Sequence, residues 1–174
     1  MKFEFDIIVI GVGHAGCEAA AVSANLGSST SLITHDLTKI ANMSCNPAIG
    51  GIAKGQIVRE IDALGGYTGI ITDKSSIQFR MLNASKGPAV RGPRAQADRK
   101  LYKKHMLEEL QKQENLDIIE ASVEGLLFTD DKIKGVILSD ETTILSKTVI
   151  LTSGTFLNGV MFTGHKTTIG GRVN

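Results

Sequence analysis

Apolar positions in this chain switch between two spacings, and each switch marks an element. Residues 5–10 (Phe-Asp-Ile-Ile-Val-Ile) form a short, nearly continuous apolar run, which predicts a buried strand. A glycine-rich hexapeptide follows, Gly11-Val12-Gly13-His14-Ala15-Gly16, and then Ala15, Ala19, Val22 and Leu26 recur at helical spacing up to Gly27. Thr30–Thr34 predicts a second strand. Residues 52–64 predict a helix with Ile57, Val58, Ile61 and Leu64 on one face, stopped by Gly65-Gly66. Ser76–Leu82 reads as a strand, 83–93 as a loop with two prolines and two glycines, and 95–113 as a long helix with Leu101, Met106, Leu107 and Leu110 inward.

From there the pattern is β-rich. Residues 117–120 predict a strand, and 122–128, 133–138 and 142–145 predict a small antiparallel meander. Residues 148–151 (Thr-Val-Ile-Leu) are continuous and β-branched, as a buried parallel strand requires, and end in a small-residue turn around Gly154. The stretch from Gly170 onward reads as a loop in mid-course, which suggests the amino-terminal part of a longer chain. A meander inserted before a final parallel strand fits the flavoprotein version of the dinucleotide-binding fold better than a simple βαβ repeat.

The hexapeptide sits where a dinucleotide pyrophosphate needs it, after a strand and opening a helix. Gly11 permits the tight turn, Gly13 lets backbone approach a phosphate, and Gly16 lets helix pack on strand, leaving the first helical N–H groups aimed at the anion. The acid expected near the end of the second strand is replaced by Thr34-His35, with Asp36 just beyond. Thr34 can hydrogen-bond a ribose, less strongly than a carboxylate, and this departure argues against a plain NAD dehydrogenase.

Composition narrows the class. The chain has 174 residues and 42% hydrophobic content, enough for one domain or part of one. The amino terminus carries two acids and runs straight into the first strand, which excludes a signal peptide, and no apolar run has the length of a membrane span. A soluble, cytoplasmic protein with reduced thiols at Cys17 and Cys45 is the expectation. Net charge is +1, but residues 86–104 hold seven cations and one acid, leaving the remainder at −5. That basic stretch has Tyr102 as its one aromatic, so it offers phosphate contact rather than base stacking, or simply a solvated helix face. Four scattered histidines have no metal-ligand spacing.

Cys45 lies in a loop with Asn46-Pro47, followed by Gly50-Gly51 and Lys54. A nearby lysine or helix amino terminus would favour its thiolate, and burial as a small hydrophobe is an equal alternative. Cys17, on the packed helix, reads as core. The loop with Lys86 and Arg91 reads from its residues alone as a solvated basic loop.

Five blocks carry a resemblance: residues 11–20, 43–51, 78–83, 85–90 and 94–99. Together they closely resemble the glucose-inhibited division protein A family, the FAD subunit of the enzyme that installs 5-carboxymethylaminomethyl on tRNA wobble uridine. The resemblance implies a Rossmann-like α/β fold of the glutathione-reductase type, with 1–174 the amino-terminal portion of the FAD-binding domain and 121–146 its β-meander. It implies FAD across Gly11, Val12, Gly13, His14, Ala15 and Gly16, with Thr34, Val123 and Gly154 as further cofactor contacts. It implies Cys45 acting at the base and Lys86 and Arg91 beside the flavin. NADH as reductant, methylenetetrahydrofolate, glycine or ammonia, a homodimer, and a heterotetramer with a tRNA-modification GTPase complete what the resemblance implies. The family's NADH-binding and carboxyl-terminal helical domains have no counterpart in these residues, so the chain alone is expected to be inactive. The alternatives are a folate- and FAD-dependent tRNA uracil methyltransferase, which the Ser44-Cys45-Asn46-Pro47 block argues against, and a non-catalytic FAD- or tRNA-binding module.

Overall fold

The structure is a computed structural model that describes residues 4–44 and 46–172. Its centre is a sheet in which β1 (Glu4–Ile10) runs parallel to β2 (Thr30–Thr34) on one side and to β9 (Thr143–Leu151) on the other. Beyond β2 lies β6 (Leu116–Glu120), also parallel. Beyond β9 lie β8 (Lys132–Leu138) and β7 (Val123–Thr129), both antiparallel. The two apolar runs at 142–145 and 148–151 therefore belong to one strand. Its first half closes the meander and its second half completes the parallel sheet.

Each face of the sheet is covered differently. On one side α1 (His14–Asn25) and α4 (Arg99–Lys112) pack over Val9 and Leu32, with Cys17, Ala20, Ala21, Tyr102, Met106 and Leu110 buried between. On the other, Val136, Leu138 and Ile144 of the meander cluster with Phe5, Ile8 and Ile33. The buried stripe of α1 differs from the expected one: Leu26 is exposed, and Gly16, Cys17, Ala20, Ala21 and Ala24 face the sheet. Small side chains win there because they let the helix axis approach the strands. In α4 the same shift exposes Leu101 and buries Tyr102.

A three-stranded antiparallel sheet, β3 (Ala48–Gly50), β5 (Gly92–Ala97) and β4 (Ser76–Leu82), stands beside this core. α2 (Lys54–Ala63) and α3 (Thr68–Ser75) connect β3 to β4. α2 ends as its glycines predict: Gly65 has φ +83, its N–H donates to the Asp62 carbonyl, and the Gly66 N–H reaches back to the Ile61 carbonyl. No residue of α2 is fully buried: along its apolar face Val58 and Ile61 are half-buried, while Ile57 and the following Leu64 are exposed. The stretch 160–169, to which the sequence pattern assigned no element, is a hairpin of β10 (Val160–Thr163) and β11 (Lys166–Ile169). No helix among the described residues is long and apolar enough to cross a membrane.

Candidate dinucleotide site

The carboxyl ends of β1, β2 and β9 meet at the glycine turn and hold it from both sides. The Gly11 N–H donates to the Ile33 carbonyl at 2.9 Å, extending the ladder toward β2. From β9, the Thr152 N–H donates to the Ile10 carbonyl at 2.9 Å, and the Thr152 hydroxyl donates to the same oxygen at 2.7 Å, with Gly11 O at 3.2 Å. Thr152 thus clamps the turn, a role that its residue type did not announce.

Space around the three glycines separates their duties. Gly11 has φ +102, and a Cβ there would stand 2.7 Å from the Thr152 carbonyl oxygen. A Cβ on Gly16 would stand 1.8 Å from the Gly11 carbonyl oxygen, so helix and turn touch through bare backbone. Around Gly13 the opposite holds: a Cβ would meet nothing within 4 Å. Gly13 is also the N-cap of α1, in extended backbone, with no side chain bonded to the free N–H groups and no acid in the first turn. Those N–H groups carry partial positive charge. Open space in front of an uncapped helix terminus is the cradle a pyrophosphate fills, so the residues present fit the FAD that the resemblance implies.

Val12 and His14 face inward from this turn. The Val12 carbonyl accepts from the Ala41 N–H at 2.7 Å and from the Cys17 thiol at 3.4 Å. Burial pushes the Cys17 thiol up to about 12, so it stays protonated and inert. The His14 ring meets the Tyr102 ring edge-on at a centroid distance of 5.5 Å, with Nδ1 3.4 Å from the Tyr102 hydroxyl. Burial first, and the Lys54 charge second, hold His14 below its ordinary value of 6.5, so this imidazole is neutral near pH 7. Ala15 is exposed on the first turn of α1.

The remaining residues named from sequence fall in three places. Thr34 is buried at the end of β2 with its hydroxyl accepting from the Asp36 N–H at 3.3 Å, so it is turned onto its own chain. Asp36 caps the next turn through the Thr38 N–H at 2.8 Å and hydroxyl at 2.6 Å. Val123 opens β7 two residues after Ala121, whose N–H donates to the Thr34 carbonyl, so it borders the end of β2. Gly154, with φ +59 and open space around it, follows Thr152. Lys86 and Arg91 share the exposed loop between β4 and β5, where the Arg91 Nε–H donates to the Lys86 carbonyl at 2.9 Å. Cys45 lies outside the described residues.

Glu18 escaped the sequence reading. Its carboxylate accepts from the Tyr67 N–H at 3.0 Å, from the Thr68 N–H and from the Thr68 hydroxyl, so a side chain of α1 caps α3. Nothing in the sequence connects residues 50 positions apart, and only the fold brings them together.

A profile of the family described as Glucose inhibited division protein A matches residues 6–174. The tRNA uridine 5-carboxymethylaminomethyl modification enzyme MnmG of Phocaeicola vulgatus is 57% identical over 173 residues, covering 99% of this chain and 28% of the relative. The same-named enzyme of Flavobacterium johnsoniae is 57% identical over 169 residues. Among solved structures, Aquifex aeolicus GidA superposes with a TM-score of 0.93 at 49% identity, over 98% of this chain and 28% of that one. The GidA-related protein of Thermus thermophilus, at 17% identity and a TM-score of 0.64, shares the fold. The chain thus spans about 28% of the length of the curated relatives it matches.

Proposed function

The chain belongs to the glucose inhibited division protein A family, and from that premise we propose that it is the FAD-binding part of an enzyme that adds a carboxymethylaminomethyl or aminomethyl group to C5 of tRNA wobble uridine. The observation that carries the reading is the contrast at the glycine turn: no room for a Cβ at Gly16, open space at Gly13, and an uncapped helix terminus between them.

The bound flavin would supply reducing equivalents for joining a one-carbon unit to the base. The chain's own residues bind and orient it. The N–H groups at the start of α1 hold the pyrophosphate, Thr152 keeps the turn from opening, and neutral His14 adds no charge beside the phosphates. Val123 borders the adenine end, and Gly154 leaves backbone free to approach the cofactor. Lys86 and Arg91 supply positive charge on a loop stiffened by the Asn83 side-chain amide, which donates to the Val90 carbonyl at 2.9 Å. Cys45 is the residue proposed to act at the base. NADH, methylenetetrahydrofolate, glycine or ammonia, a GTPase partner, homodimer assembly and a cytoplasmic site of action belong to the same proposal. The proposal places the NADH site in parts of the enzyme outside these residues.

The experiment is an absorption spectrum of the chain with added FAD, repeated after NADH. A shifted, protein-bound flavin band that NADH leaves unbleached is expected. A chain that is folded by circular dichroism and leaves the flavin free in solution would overturn the reading.

A further inference from the structure

The basic stretch of this chain divides between two elements, and the fold treats the two parts differently. On α4, Lys104 lies 3.8 Å from Glu108, His105 3.2 Å from Glu108 and Lys112 3.6 Å from Glu109, and the Lys103 ammonium donates to the Thr38 carbonyl. The positive charge of the helix is largely met within the fold. The hairpin made by β4, its loop and β5 is the opposite case. Residues 76–97 contain Arg80, Lys86, Arg91 and Arg94 and no acid. None of these four cations makes an ion pair among the described residues.

Strand register brings two of them face to face. Arg80 stands directly opposite Arg94, and Gln78 directly opposite Gln96. Directly opposed residues of an antiparallel pair point to one face with Cβ atoms about 5 Å apart, and like charges so placed destabilise the sheet. The alternate residues of β5, Ala95 and Ala97, are buried, and Ile49, paired with Ala95, packs against the core. The face with both arginines and both glutamines is therefore turned away from that core, half-covered at Arg94 and open at Arg80 and Gln78. To that face β3 contributes Ala48 and Gly50, so no carboxylate of the sheet offsets the pair. At about 3.3 Å per residue, the arginine pair lies roughly 10 Å from Asn83, where the loop with Lys86 and Arg91 begins. A small anion meets the pair or the loop; a chain of phosphates meets both.

We infer that this outer face of the β4–β5 hairpin is a docking surface for the phosphodiester backbone of RNA, with Arg80 and Arg94 as its charge and Gln78 and Gln96 as neutral hydrogen-bonding neighbours. Guanidinium forks match phosphate oxygens two at a time, and an anion between facing arginines removes the repulsion that the sheet otherwise bears. The strand held there leads on toward Lys86 and Arg91. That the polyanion is RNA rests on the tRNA reading above. That the face takes a polyanion rests on the hairpin itself.

The test compares the unaltered chain with Arg80→Gln/Arg94→Gln and with Lys100→Gln/Lys104→Gln on α4. Filter retention of tRNA and of polyglutamate is measured across a salt series, with a flavin titration alongside. The hairpin variant is expected to bind tRNA about tenfold more weakly, with the slope of log affinity against log salt shallower by about 1.5, and the α4 variant to change binding by less than about twofold. Arg80→Gln alone is expected to raise the melting temperature because it relieves a like-charge opposition, whereas removal of an arginine held in a structural bond would lower it. Unaltered tRNA binding in the hairpin variant, equal losses in both variants, or no tRNA retained by a chain that binds flavin would overturn the inference and leave the flavin reading standing. Polyglutamate retained more tightly than tRNA, and released by the hairpin substitutions, would overturn the assignment to RNA. Binding of tRNA that the hairpin substitutions abolish, in a chain that leaves flavin free, would support the surface and count against the flavin reading.

Discussion

Gly13 and Gly16 lie three residues apart and do opposite things, and this contrast is open to direct measurement. At Gly16 an added methyl collides with the Gly11 carbonyl at 1.8 Å, backbone against backbone, so nothing nearby can give way cheaply. Gly16→Ala is expected to destabilise the chain by about 3 kcal/mol or more, at the upper end of overpacking costs, and to abolish flavin binding. Gly13→Ala has room and an ordinary φ of −68. Its stability is expected to change by less than about 1 kcal/mol, while flavin affinity falls at least about tenfold because the methyl occupies phosphate space. Thermal melts and flavin-fluorescence titrations of the two variants separate the roles. His14 adds a pH signature. Its folded value lies below 6.5, so under acid the unfolded chain takes up a proton that the native ring refuses. Its contribution to stability is complete above pH 6.5 and is lost as pH falls toward the folded value. Melting temperatures from pH 8 to pH 5 should show a decline that His14→Gln flattens.

Among the elements, α3 is held at its start by a side chain distant in sequence. Glu18 meets its first N–H groups from one turn inside α1, and α3 leads directly into β4 and on to the Lys86–Arg91 loop. Glu18→Gln keeps the shape but loses the charge-assisted bonds, and an N-cap of this kind is worth about 1–2 kcal/mol. Urea unfolding should show that loss, and native-state hydrogen exchange should place the fastest new opening at residues 67–75. Thr152→Val removes the hydroxyl clamp on Ile10 and Gly11 at nearly constant volume. A stability loss of about 1 kcal/mol is expected, with weaker flavin binding at unchanged secondary structure by circular dichroism.

For the molecule as a whole, the distribution of exposed apolar surface stands out. Ile77, Phe79 and Met81 alternate along β4, an edge strand, and all three are exposed. Ile57 on α2, Leu64 just after it, and Phe162 and Ile169 on the hairpin of β10 and β11 are exposed as well. An exposed apolar edge strand pairs readily with other chains. Phe79→Lys should therefore increase the monomer fraction of the 174-residue chain in sedimentation velocity, on the order of twofold, and leave the flavin titration unchanged.

The glycine turn, the meander and the parallel strand at 148–151 were legible in the order of residues because each rests on local chemistry. A glycine identity encodes backbone freedom, and a β-branched run encodes extended chain, wherever they occur; the burial expected of 148–151 is only partial, with Thr148 and Leu151 exposed. Other features depended on partners distant in sequence. β5, with Gly92-Pro93-Arg94-Ala95, has little strand propensity of its own, and it is a strand because β3 and β4 hydrogen-bond to it on either side. The inward stripe of α1 followed closeness of approach rather than hydrophobicity, so alanines and a cysteine displaced Leu26. Thr34 spent its hydroxyl on Asp36, Glu18 found α3, and Thr152 found the turn, all through contacts between groups that the chain keeps apart. Residue order alone established the type of fold and the place of the glycine turn proposed to cradle the anion, since turn and helix terminus are built from neighbours. Which side chains brace that turn, and which cations face one another across β4 and β5, came from packing, because hydrogen bonds and Coulomb forces act over ångströms of space whatever the separation along the chain.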